Sequence, residues 1–164
     1  GDNITHIDID SDWASNTDGA YGYYNNSTAN RDTYGMLYNW QAVDNSSGIC
    51  PQGWHVPTHS EFGALATELG SNAGAKLKET GTTHWTSESA GTSNSSGFTA
   101  LPAGHRSYST GTYADLGTYA YFWSSNYYSS SQAKFRYLIH SNSSIFDPVN
   151  NWKNYGFSVR CLKD

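Results

Sequence analysis

The tetrad Thr58-His59-Ser60-Glu61, inside "CPQGWHVPTHSEF" (50–62), is the feature that most narrows the fold. A threonine hydroxyl can accept from the backbone N–H three residues on, and the glutamate there can reach back to the threonine N–H. Apolar Phe62, Leu65, Ala66 and Leu69 then recur at i, i+3, i+4 and i+7, and Gly70 follows as a stop. The pattern predicts a helix over 59–69. The same stretch also carries Cys50, His55, His59 and Glu61, which together look like chemistry. A zinc site would need a third ligand beside the histidines, and Cys50 is the near candidate. Pro57 breaks the backbone between them, so His55 precedes the helix while His59 opens it, and they are not an i, i+4 pair on one helical face. The cap uses Glu61. His59, at the first helical position, is expected to be mostly solvated. Trp54 and Val56 are expected core anchors. This is scaffold rather than a metal or catalytic cluster.

At 164 residues, the chain fits a single domain over 1–164. A domain of this size buries roughly 70% of its unfolded surface, enough for a real core. Charged residues are 14% of the chain and aromatics 15%, which excludes a disordered segment. A net charge of −5 and the lack of any Lys/Arg run leave little electrostatic footprint for a nucleic acid. No run approaches 18 apolar residues, so no membrane span is expected. Nothing at Gly1 resembles a signal peptide or lipidation motif, as in a mature or trimmed form. Cys50 and Cys161 lie too far apart for a zinc pattern. They form either two buried thiols or a disulfide, and the low-charge Asn/Ser/Tyr-rich composition suggests an extracellular setting where a disulfide persists. Closing such a loop would stabilise by up to ~4.7 kcal/mol on the chain-entropy model.

Along the chain, "DIDSDWASNTDG" (8–19) begins like a calcium loop, but Trp13 stands where glycine is required and Gly19 where the bidentate glutamate belongs. It reads as an acidic surface loop. Met36, Leu37, Trp40 and Val43 stand at helical spacing and predict a short helix within 34–43. Residues 71–97 are Gly/Ser/Thr-rich, with isolated anchors Leu77 and Trp85. From Phe98 onward, short runs bounded by Gly, Asn, Ser or Pro predict strands: "GFTALPAGHR", "YAYFWSSNYY", "KFRYLIHS" and "YGFSVRCL". Helices first and strands later make an α+β pattern with an antiparallel sheet.

Catalytic signatures are weak. There is no G-x-S-x-G elbow, P-loop or G-x-G-x-x-G motif, and after residue 90 the acids are Asp115, Asp147 and Asp164. Residues 121–155 stand out instead, being about half Ser, Asn and Tyr. Tyr and Trp give contact area at low entropy cost, and Ser and Asn give adaptable hydrogen bonds.

"TYGMLYNWQAV", "CPQGWHVPTHSEF", "GAKLKETGTTHW", "SGFTALPAGHR", "YFWSS" and "YGFSVRC", in order from about Trp13 to Asp164, resemble the Fibrobacter succinogenes major paralogous domain, a family of bacterial surface proteins. That family resembles the C-type-lectin-like fold, shared with formylglycine-generating enzymes and the variable proteins of diversity-generating retroelements. "WHVPTHSEF" is similar to the helix start of those enzymes, and "GFSVR" to their last strand. The resemblance implies two helices flanking a small antiparallel sheet with long irregular loops. It also implies a Cys50–Cys161 disulfide and a ligand-facing side from Tyr121 to Trp152. The enzymes' active-site cysteine pair and the calcium-and-sugar motifs of true lectins have no match here. Nor does the family's N-terminal strand motif, so that strand is expected to be trimmed, absent or donated by a neighbour.

The expectation is a non-enzymatic extracellular or cell-surface recognition and adhesion domain for a protein or glycan. The contact residues are Asn126, Tyr127, Tyr128, Tyr137, Ile139, His140, Phe146, Asn150 and Trp152. No catalytic residue, metal or cofactor is expected, and a structural calcium ion has no supporting motif. The alternative is a structural subunit of a bacterial surface filament or layer, a homo-oligomer completed by a neighbour's strand.

Overall fold

A computed structural model describes residues 4–164. The architecture is α+β, with five helices and four small sheets among the described residues. The first sheet joins β1 (Thr5–His6), β2 (Ala20–Gly22) and β3 (Leu37–Tyr38); β1 runs parallel to β2, and β2 antiparallel to β3. Helix α1 (Asp10–Ser15) follows β1, and α2 (Thr28–Tyr34) and α3 (Trp40–Val43) flank β3. Strand β4 (Trp54–His55) leads into α4 (His59–Leu69) and α5 (Ala73–Leu77). The hairpin β5–β6 (His105–Arg106, Tyr113–Ala114) precedes the longest strands, β7 (Tyr119–Tyr127) and β8 (Gln132–Ile139). These two are antiparallel, and β9 (Asn151–Trp152) adds to β8. The last strand, β10 (Leu162–Lys163), returns to pair with β4.

Helix α4 spans the predicted residues with the full capping box. Thr58 Oγ1 accepts from the Glu61 N–H at 3.2 Å, and Glu61 Oε2 accepts from the Thr58 N–H at 2.7 Å. Residues 34–43 do not form the expected single helix. Gly35, at φ +80°, ends α2, and Leu37–Tyr38 are extended. Asn39 then starts α3, its side chain accepting from the Ala42 N–H. The apolar spacing was genuine burial, but Gly35 and Asn39 partition it between a strand and one helical turn. Likewise, "DIDSDWASNTDG" is not simply a surface loop, because α1 runs through it and buries Trp13. Leu77 and Trp85 anchor the 71–97 segment as expected, and α5 lies within it. Of the four strand runs, "YAYFWSSNYY" and "KFRYLIHS" form long strands. "GFTALPAGHR" and "YGFSVRCL" are mostly irregular, each pairing at its end and through isolated bridges.

The β7–β8 hairpin divides the core. Ala120 and Phe122 of β7 and Leu138 of β8 face Phe62 of α4, Leu77 of α5 and Trp85. On the opposite face, Trp123 and Phe135 pack with Trp40, Val43, Val56 and Phe157. Four tryptophans are fully buried, and each indole N–H donates to a backbone carbonyl: Trp13 to Asn154, Trp40 to Ser124, Trp85 to Ala100 and Trp123 to Tyr38. The indoles therefore fill the core while each buried N–H keeps a backbone partner. Trp54 differs from its expected core role. It is 44% exposed, while its neighbour Val56 is buried.

Two buried cations hold irregular chain. Arg106 lies between the rings of Trp13 (4.5 Å) and Tyr113 (4.8 Å). It donates to the carbonyls of Ile7 and Gly111 and pairs with Asp10 at 3.3 Å. Gly156 pairs its backbone with Arg106, and a Cβ there would lie 2.9 Å from Arg106 Cβ and 3.0 Å from the Trp13 ring. Lys78 donates to Ser89 Oγ and to the carbonyls of Ile139, His140 and Asn142, tying the 71–97 segment to the end of β8. Cys50 and Cys161 form a disulfide that closes the chain end onto the approach to β4. Among the described residues, no helix is long and apolar enough to cross a membrane.

Candidate functional site: an aromatic sheet face

Strand alternation puts Tyr119, Tyr121 and Trp123 on one face of β7, opposite Ile139, Tyr137 and Phe135 of β8. Trp123 and Phe135 are buried, whereas Tyr119, Tyr121, Tyr137 and Ile139 remain half-buried. Phe146 adds to the edge. It exchanges both backbone hydrogen bonds with Tyr137 and stacks on its ring at 4.7 Å. From there the rings continue without a break. Tyr137 meets Tyr119 at 6.2 Å, Tyr119 stacks on Tyr121 (5.5 Å), and Tyr121 stacks on Phe157 (4.9 Å). Phe157 stacks on Tyr155 (5.3 Å), Tyr155 meets Tyr108 (5.0 Å), and Tyr108 stacks on Trp152 (5.7 Å). The result is a ribbon of rings from Phe146 to Trp152.

Polar groups set into the ribbon fix its middle. Asp115, at φ +68°, holds Oδ2 3.0 Å from the Tyr121 hydroxyl, which donates to it. The same oxygen is 3.1 Å from His105 Nδ1, but the ring nitrogen is not aimed at it, so that contact is electrostatic. The His105 ring meets Tyr121 and Tyr155 edge-on. Burial holds the His105 pKa below its usual value, against the pull of Asp115. Burial, reinforced by the Asp115 charge, pushes the Tyr121 phenol far up. Both groups are therefore neutral at physiological pH.

The nine expected contact residues fall into separate places. Tyr137, Ile139 and Phe146 share the aromatic face. Trp152 ends the ribbon at 42% exposure. Tyr127 and Tyr128, 70% and 51% exposed, lie at the hairpin tip, where the Tyr128 N–H donates to Gln132, the β8 partner of Trp152. Lys153 lies over the Tyr127 ring and Lys134 over that of Tyr128. Asn126 is tied to α4, its Oδ1 accepting from the His59 N–H at 2.7 Å. His140 turns to Ser87, with Nδ1 2.7 Å from that hydroxyl. Asn150 is half-buried beside β9. Tyr108, Tyr119, Tyr155, His105 and Asp115 join this face from outside the expected segment Tyr121 to Trp152, and Tyr121 lies at its edge. For Tyr119 and Tyr121, the period-two pattern of β7 carried the signal. The others are brought in by loops with no sequence signature.

The histidines of the capped segment have structural partners. His55 Nδ1 is 2.6 Å from Asp164 and Nε2 is 3.1 Å from Glu61, and these carboxylates raise its pKa, Asp164 most. His59 is not mostly solvated as expected. Its side chain is 22% exposed, with Nε2 3.0 Å from Asp147, which also pairs with Arg136 at 2.7 Å. Arg136, buried on β8, draws Asp147 and with it the imidazole against the sheet. Burial and Arg136 lower the His59 pKa. Among the described residues, no group of three or more His, Cys, Asp or Glu is placed to hold a metal ion.

These features define a class: a disulfide-closed α+β domain with a half-exposed aromatic face on its principal hairpin. The model of the Fibrobacter succinogenes major domain matches residues 1–163, and the chain belongs to that bacterial family. The match begins at residue 1, ahead of the motifs from Trp13 onward. No curated protein and no solved structure matches the chain.

Proposed function

We propose that this is a non-enzymatic recognition domain of C-type-lectin-like fold. It acts outside the cell or at the bacterial surface and binds a protein or glycan. The binding surface is the aromatic ribbon together with the exposed rings of Tyr127, Tyr128 and Trp152. The observation that carries this reading is the run of rings from Phe146 to Trp152, partly exposed on either side of the buried Phe157. Contiguous, partly exposed aromatic rings with polar edges are the kind of surface that marks interaction sites. The disulfide supports an oxidising compartment. In this reading, Asp115 and His105 hold the Tyr121 ring in place and do no chemistry. Tyr128→Ala and Trp152→Ala should each abolish capture of the ligand on an array of glycans and surface proteins, with melting temperatures unchanged. Wild-type capture by both variants would refute the assignment.

A further inference from the structure

At the Trp152 end of the ribbon, a groove of about 450 Å³ opens between β9, the β7–β8 turn, the β5–β6 turn and α3. That volume lies within the range of about 300–1,000 Å³ usual for small-ligand sites. One wall is the stacked pair Tyr108 and Trp152. The lining also includes Ser109, Ser130 and Ser131 and the amide residues Gln41 and Asn154. Backbone bonds hold the frame. Lys153 N–H donates to the Ser131 carbonyl, Trp40 N–H to the Lys153 carbonyl, and Asn154 Nδ2 to the Asn16 carbonyl. A wall fixed in this way loses little entropy on binding.

The chemistry of the lining selects the ligand. Among the described residues, no carboxylate lines the groove. Lys153, the cation among the described lining residues, lies 4.4 Å from the Trp40 ring and 5.7 Å from the Tyr127 ring, and is engaged by those faces. Gln41 Nε2 donates to Asn154 Oδ1, which holds both amides in place. Serine hydroxyls both donate and accept, which suits a ligand that does the same at several closely spaced positions. The C–H face of a pyranose ring lies flat on an indole, and its equatorial hydroxyls point outward to such groups.

We propose that this groove binds a neutral hexopyranose unit of a glycan, its ring on Trp152 and its hydroxyls toward the serines. The proposal rests on reading the domain as a recognition module, and it narrows the ligand from protein or glycan to an uncharged sugar.

The test is an array of neutral gluco-, manno- and galacto-oligosaccharides, sialylated and sulfated counterparts, and bacterial surface proteins, followed by titration calorimetry on hits. Binding of a neutral oligosaccharide is expected. Trp152→Ala should weaken it about tenfold or more, with Trp152→Phe recovering most of the loss. Ser131→Trp, which keeps the backbone bond and fills the groove, should abolish binding without lowering the melting temperature. Neutral-sugar binding that survives Ser131→Trp would overturn the groove assignment while leaving the recognition reading in place. The same holds for capture of only charged glycans or only proteins. Capture of nothing on the array would overturn both.

Discussion

Single side chains carry unusual weight where so much of the chain is irregular. Arg106 is the clearest case. It is fully buried, sandwiched by two rings, and the donor for carbonyls more than 90 residues away in sequence. Removing it strands those acceptors and leaves Asp10 without its cation. Arg106→Ala should therefore cost about 3 kcal/mol in urea unfolding, the scale of breaking a buried ionic network. A loss under about 1 kcal/mol would mean the network is not holding the N-terminal segment. His105 supplies a pH signature. Its folded-state pKa is held below the unfolded value by burial, so over the range between the two the unfolded chain binds more protons. From this group, stability should fall as pH drops from about 6.5 through the folded pKa. His105→Gln should remove that part of the slope, measured as the difference between the two proteins' urea midpoints at pH 7 and pH 5. An identical slope in both would contradict a neutral, buried His105. Sequence pattern exposes neither residue. Arg106 and His105 sit side by side in a short polar run, and only the loops that close over them make one a clamp and the other a ring support.

The elements differ in how openly the sequence declares them. Helix α4 is legible because its cap, apolar stripe and stop are all local, and Thr58→Ala should cost about 1 kcal/mol through the lost cap. Chemical denaturation checks this, and a neutral effect would show that packing of Phe62 alone sets the helix start. Strands β7 and β8 are legible for a related reason, since alternating large residues pack on both faces. The stretches on either side of Gly35 and Asn39 are not. There, apolar spacing gives burial without choosing between strand and helix, and two capping residues decide. Strands of two residues, such as β1, β4 and β10, leave no periodicity to find and exist through tertiary contacts. The 71–97 segment shows the same dependence on distant partners. Burial lowers Lys78 to a pKa of about 8, yet its donors go to three carbonyls at the end of β8 and to Ser89. Lys78→Ala should release this segment, seen as new cleavage between residues 79 and 97 under limited proteolysis. A wild-type digestion pattern would show that Trp85 alone anchors it.

Across the whole molecule, the disulfide and the four buried indoles tie short and irregular segments together. Long irregular paths then bring Tyr108, Asp115, Phe146 and Tyr155 to the hairpin face. That convergence explains why the residues named from the sequence make up only part of the aromatic face. Tyr119 and Tyr121 could be read from β7, whereas Tyr108 and Tyr155 reach the ribbon only through the fold. The Cys50–Cys161 bridge closes a loop of 111 residues, and Cys50→Ser/Cys161→Ser should lower stability by about 2–5 kcal/mol. The most direct test of the recognition surface is hydroxyl-radical footprinting with and without a ligand captured on the array. Tyr127, Tyr128 and Trp152 are exposed on the proposed surface, and Trp54, exposed on β4, is the internal reference. Ligand should suppress oxidation of the first three and leave Trp54 unchanged. Protection of Trp54 with Tyr127, Tyr128 and Trp152 still oxidised at their free rates would place recognition elsewhere and contradict the assignment.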